Sequence, residues 1–302
     1  MQSFSRGWLF LKQAWSMAFK DKDLLKPSIY ALAAGFVVSV IGIIPIAIIA
    51  VFMGGNNFGN IFLYVMGAVM IFIQFIVSYI FSGMTVHLIY GYLTEGDGRM
   101  DRAWAIVKRD FFDILTLAAV STAVNLVKNA AQNSRRRRGG ISRNLASQAT
   151  GLISTLWTEA AALVLPAMII DDLNLKDSLQ RIWEITKENL LLVGISTIGV
   201  RFVTGLIGFL FGALGLVIAF AIGGGLSFAS GGDMTLSIIG IVIGALVFFT
   251  FVMIASVFSS YTTTAYHTCL YIWARDVEKA TAEGRSPAQV QAPGPLAAVL
   301  SS

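Results

Sequence analysis

Two charged side chains interrupt otherwise apolar runs of this sequence, Glu159 and Arg201. A charge at mid-bilayer costs about 2.5–3.5 kcal/mol on insertion scales, so each requires a partner or water. Glu159 lies eleven residues before its apolar run ends at Ile170, and Arg201 is the thirteenth residue of the next run, which begins near Asn189. At 1.5 Å per residue both sit roughly 16–20 Å from the same membrane boundary. The pair reads in two ways, as an ion-binding site or gate in a permeation path, or as a structural ion pair that fixes the register of two helices.

The remaining chemistry-bearing residues are few. His87 and His267 fall near the ends of apolar runs in the similar strings His87-Leu88-Ile89-Tyr90 and His267-Thr268-Cys269-Leu270-Tyr271. Their spacing supplies no further metal ligands, and His and aromatic residues at a membrane boundary read as anchors. Cys269 is the single cysteine, which excludes an internal disulfide. No His-Glu-x-x-His, Gly-x-Ser-x-Gly or phosphate-binding Gly-rich motif occurs, so neither a catalytic site nor a cofactor is expected.

A basic-x-Trp-x-apolar-x-Lys pattern occurs three times. Its copies are Arg6, Trp8 and Lys12; Arg102, Trp104 and Lys108; and Arg181, Trp183 and Lys187. Tryptophan between basic residues suits the headgroup layer of a membrane, where the ring is half-solvated and the charge meets anionic lipid. The same residues also serve as plain interfacial anchors, and the two roles are compatible.

Composition places these motifs in a membrane protein. Of 302 residues, 56% are hydrophobic and 13% charged, against about 45–50% and about 25% in ordinary globular chains. The net charge of +5 resides mostly in Lys and Arg beside apolar spans. That placement follows the positive-inside rule and argues against a nucleic-acid partner.

Each Trp motif is followed by two long apolar runs, giving six expected spans near 28–53, 61–93, 111–127, 145–170, 189–222 and 236–273. The reading is an all-α, polytopic membrane protein of three repeat units, about 3–95, 99–172 and 175–280. Each unit is an amphipathic surface helix followed by a membrane hairpin. Residues 281–302, rich in Ala, Pro and Ser, are expected to be a disordered cytoplasmic tail. Hairpin parity puts both termini on the cytoplasmic side of a plasma (inner) membrane. It also puts the loop holding Arg135–Arg138 outside, against the positive-inside rule, and a re-entrant third and fourth span would return that loop to the cytoplasm. The N-terminus is not expected to be a cleaved signal, because lysines and Arg6 interrupt its apolar residues. Gly208 with Gly212, and Gly240 with Gly244, are spaced to pack spans five and six together.

The stretch Leu165-Pro166-Ala167-Met168-Ile169-Ile170-Asp171-Asp172, with Ser178, Arg181, Trp183 and Lys187 after it, resembles a group of bacterial and archaeal membrane proteins. That group includes the membrane domain found beside some glycerophosphoryl diester phosphodiesterases. The resemblance implies a six-helix inner-membrane protein without a catalytic site of its own, and it carries over no ligand residues. Two functions remain open. One is a non-enzymatic protein that organises anionic lipid, a protein partner or further copies of itself through a basic, aromatic collar. The other is a transporter or channel using the polar hairpin of spans three and four, where Ser121, Asn125, Thr155 and Glu159 would line the path.

Overall fold

The structure, a computed structural model, describes the backbone of residues 2–53, 57–135, 142–229, 234–286 and 289–300. Side chains at 2–6, 133–135, 142–150, 152, 186–203, 227, 229 and 298–300 lie outside that description. Among the described residues it is all-helical, and six helices are long and apolar enough to cross a membrane.

The order is α1 (Gln2–Lys20), a short 3-10 turn (Lys22–Leu24), α2 (Lys26–Met53), α3 (Asn57–Glu95), α4 (Met100–Arg109) and α5 (Phe111–Arg135). Then follow α6 (Ser142–Asp171), α7 (Leu175–Ala229), α8 (Met234–Ala282) and α9 (Gly294–Leu300). At 1.5 Å per residue, the 39 residues of α3 and the 49 of α8 far exceed a hydrocarbon core of about 30 Å. The surplus at their C-terminal ends is where the protein core forms. Met84, Val86, Leu88 and Ile89 of α3 and Tyr261, Tyr266, Leu270 and Tyr271 of α8 are buried there. Phe10 and Ala14 of α1, Val107 of α4 and residues 163–169 of α6 pack against them. We call this end of the bundle the base, and the remainder the open half.

Helix α1 has two apolar faces. The sequence stripe Phe4, Trp8, Leu11, Trp15, Phe19 leaves Trp8 and Phe19 exposed, while the neighbouring stripe Phe10, Ala14, Met17 and Ala18 is buried. The spacing of three and four residues in that second stripe is what a helix facing a protein core requires. Trp15 bridges the two faces, donating from Nε1 to Thr262 Oγ1 at 3.0 Å.

Three expectations change. The third Trp motif does not form a separate surface helix, because α7 runs unbroken from Leu175 through Ala229. No proline or glycine falls between Trp183 and Asn189 to stop it. The tail expected to be disordered carries α9, and Leu296 is 1% exposed within the base core. Pro295, at the second position of α9, suits a helix start. The third change concerns the glycines. At Gly223 an added Cβ would stand 2.8 Å from the Gly240 carbonyl oxygen, and at Gly244 it would stand 2.8 Å from that of Ala219. The α7–α8 crossing therefore uses Gly223 against Gly240 and Gly244, whereas Gly208 and Gly212 face open space.

Candidate functional site

The polar chemistry of the described residues concentrates where α6 ends. Asp171 and Asp172 close that helix, the latter with a φ of 55°, a left-handed conformation that aspartate tolerates better than most side chains. Each carboxylate is taken by a different element. Asp171 accepts from the Tyr271 hydroxyl and from Arg275 Nη1 at 2.9 Å, and the Arg275 guanidinium lies 5.6 Å from the centre of the Tyr90 ring. Asp172 pairs with Arg109 Nη2 at 3.0 Å. Arg109 also holds the buried Asp110 through Nε at 2.6 Å and Nη2 at 3.1 Å. That hydrogen-bonded carboxylate is the main reason the Arg109 pKa is raised above its ordinary value.

A parallel pair joins α7 to α8, with Arg181 donating to Glu278 at 2.7 Å. Burial works against the Arg181 charge, but Glu278, Tyr271 and Asp171 outweigh it and raise its pKa. Four elements, α4, α6, α7 and α8, are thus clamped by arginine–carboxylate pairs. A partly buried pair of this kind is costly to break from one side only.

Deeper along the same face of α8, His267 is buried and its Nε2 stands 3.3 Å from Glu159 Oε2. Its Nδ1 faces the Thr263 carbonyl oxygen at 2.7 Å, so Nδ1 carries the proton of that bond. A hydrogen bond between Nε2 and Glu159 then needs a second proton, on the ring or on the carboxyl. The side chain of Arg201, the partner expected for Glu159, lies outside the described residues.

The polar residues of the second hairpin separate. Ser121 is buried, bonded to the Tyr79 hydroxyl at 2.7 Å and accepting from Trp157 Nε1 at 2.9 Å, which ties α3, α5 and α6 together. Thr155 is exposed and returns its hydroxyl to the Gly151 carbonyl. Asn125 lines a cavity against α2 and α3. Glu159 turns to α8.

The three Trp motifs share one local pattern. Trp8, Trp104 and Trp183 are 49%, 45% and 70% exposed, while the residue before each, Gly7, Ala103 and Ile182, is buried. Successive helical residues are 100° apart, so each copy is rotated alike, seated by its first residue and showing its indole. The flanking charges diverge. Arg102 is taken by Glu95 at 2.9 Å and Arg181 by Glu278, whereas Lys12 is exposed and Lys108 Nζ lies 5.2 Å over the Trp104 ring. Arg6 and Lys187 have side chains outside the described residues, as does the run beyond Arg135 to Arg138.

His87 does not join His267 in a common site, and among the described residues no three of His, Cys, Asp and Glu converge to hold a metal ion. The sequence reading missed the Asp171–Arg275 and Glu159–His267 pairs. A signal for them was present, since His267, Tyr271, Arg275 and Glu278 follow at spacings of four, four and three and share one face of α8. No family model and no curated protein matches the chain.

Proposed function

We propose that this is a non-enzymatic membrane protein whose tryptophan motifs form a basic, aromatic collar at the cytoplasmic face, holding anionic lipid and through it organising a protein partner or further copies. The observation that carries this reading is the repeated rotation of the motif, with Trp8, Trp104 and Trp183 exposed and their preceding residues buried. Within the collar, Lys12 and Lys108 meet the headgroups, because Arg102 and Arg181 are committed to Glu95 and Glu278. Each well-placed lysine near an anionic surface contributes about 1 kcal/mol. The transporter reading needs Ser121, Asn125, Thr155 and Glu159 on one path, and their divergence favours the collar instead.

Purified protein in nanodiscs of mixed phosphatidylglycerol and phosphatidylcholine provides the test. Replacing Trp8, Trp104 and Trp183 by alanine, and Lys12 and Lys108 by glutamine, should reduce the phosphatidylglycerol that stays bound after detergent exchange, with folding unchanged. Equal retention by parent and variant would sink the collar.

A further inference from the structure

Two cavities flank one ridge of α3. The first, about 470 Å³, lies between α2, α3 and α5 and is lined in part by Ser39, Gln74, Ser78 and Asn125. The second, about 230 Å³, lies between α2, α3 and α8, where Ser28, Ser256 and Ser260 join the same Gln74 and Ser78. Among the described residues neither lining includes a charged side chain. All these groups belong to helices that read as membrane spans, where an unaccompanied polar side chain is unfavourable.

Their heights form a series. Ser28 stands two residues into α2, and Ser260 precedes the buried Tyr261, so both lie at the upper rim of the base. Ser256 and Ser78 are one turn above, roughly 6–8 Å. Gln74 and Ser39 come next, roughly 14–16 Å up, joined by a 2.8 Å hydrogen bond from Gln74 Nε2 to Ser39 Oγ. Asn125 shares a cavity lining with Gln74 and so stands level with it, and Asn129 is one turn higher, roughly 20–22 Å above the rim, its Nδ2 donating to Asn125 Oδ1 at 2.9 Å. The series therefore covers roughly two-thirds of a hydrocarbon thickness of about 30 Å. It is also open to lipid from the side, since Ser78, Ser256, Ser260 and Asn129 are exposed.

We propose that this hydroxyl and amide track is a transbilayer path for phospholipid headgroups, giving the protein a lipid-scrambling activity. A headgroup crossing the bilayer loses its water, and the barrier falls where hydrogen-bonding groups and the water they retain replace it. Acyl chains stay in the surrounding lipid, because the track faces the membrane rather than an enclosed pore. The uncharged walls bind no ion and make no demand on headgroup charge. This activity is independent of the collar, which lies at the base and uses other residues.

The experiment uses the full chain in phosphatidylcholine vesicles carrying a fluorescent phosphatidylcholine or phosphatidylglycerol, with dithionite added outside. The expected result is loss of inner-leaflet fluorescence for both lipids, beyond the outer-leaflet loss of protein-free vesicles. The Gln74→Leu, Asn125→Leu double variant should slow that phase at least tenfold, the equivalent of about one hydrogen bond at the barrier. Because Gln74 also bonds to α2, the Ser78→Ala, Ser256→Ala, Ser260→Ala triple variant is a second probe on exposed hydroxyls, and it too should slow the phase. Thr250→Val, a hydroxyl of α8 outside both cavities, should match the parent. The inference is overturned if vesicles holding folded parent protein keep their inner-leaflet fluorescence, or if both track variants scramble at the parent rate. Release of entrapped carboxyfluorescein at the same rate as lipid movement would also overturn it, by showing an open pore. The collar variants should scramble normally, which separates failure of this activity from failure of lipid retention.

Discussion

In the base, Tyr261, Tyr266 and Tyr271 of α8 are buried in a core to which seven other helices contribute among the described residues, whereas in the open half of the same helix Ile241, Val242, Leu246 and Phe249 are exposed. Half of the most apolar stretch of α6, which ends in the base, is buried, and none of that of α3 is. The contrast follows from the solvent. An isoleucine facing hydrocarbon gains nothing by turning inward, so the open half is held by close backbone approach and hydrogen bonds. Away from hydrocarbon, burying a large apolar side chain stabilises by about 1.5–3 kcal/mol, which accounts for the dense packing of the base. Ion pairs then fix which helix ends meet.

Changes that break the base should therefore cost far more than changes of equal size in the open half. Arg275→Met strands Asp171 beside Tyr271, and a loss of about 3–5 kcal/mol should appear as a large fall in melting temperature in detergent. Leu88→Ala should cost about 2–5 kcal/mol. Phe220→Ala, which removes more atoms from a lipid-facing site, should stay within about 0.5 kcal/mol in the same melt performed in nanodiscs. Equal losses at Leu88 and Phe220 would dissolve the distinction. Gly244→Leu sharpens it from the other side, because its side chain would meet the Ala219 backbone. It should lose about 1–3 kcal/mol, while Gly208→Leu, with open space around it, should not. Glu159→Gln keeps a hydrogen-bond partner for His267, so a loss of only about 1 kcal/mol is expected in the same melt. The smallest effect belongs to Asp101, whose pKa is lowered chiefly by its hydrogen bond from Arg99. That contribution is present above the ordinary carboxylate range and lost as pH falls through the lowered value. The slight gap between parent and Asp101→Asn melting temperatures should accordingly close on acidification.

Hydropathy made the six candidate spans legible, because twenty apolar residues in a row rarely occur outside a membrane crossing. The motif tryptophans, expected at a surface from their basic neighbours, are exposed in all three copies. The register between distant helices was not legible. Asp171 and Arg275 are 104 residues apart, and each taken alone reads as a marker for the end of a span. Leu296 was hidden by its surroundings, since a single leucine in an Ala- and Pro-rich segment gives no periodicity from which to infer a docked helix. Trp183 shows a further limit, in that one motif opens a separate helix in α4 and merely the first turns of a long one in α7. Neither motif is followed at once by proline or glycine, and α4 stops before Asp110, whose buried carboxylate Arg109 holds, so residue type alone does not decide between them.

Helix α1 packs on α7, α8 and α9, so its Phe10 and Ala14 stripe is covered by elements far along the chain. Phe10 meets the Tyr266 ring, and the Ala14 carbonyl accepts from the Tyr261 hydroxyl at 3.0 Å. Contacts of such long sequence separation make closure of the base a late and slow step of folding.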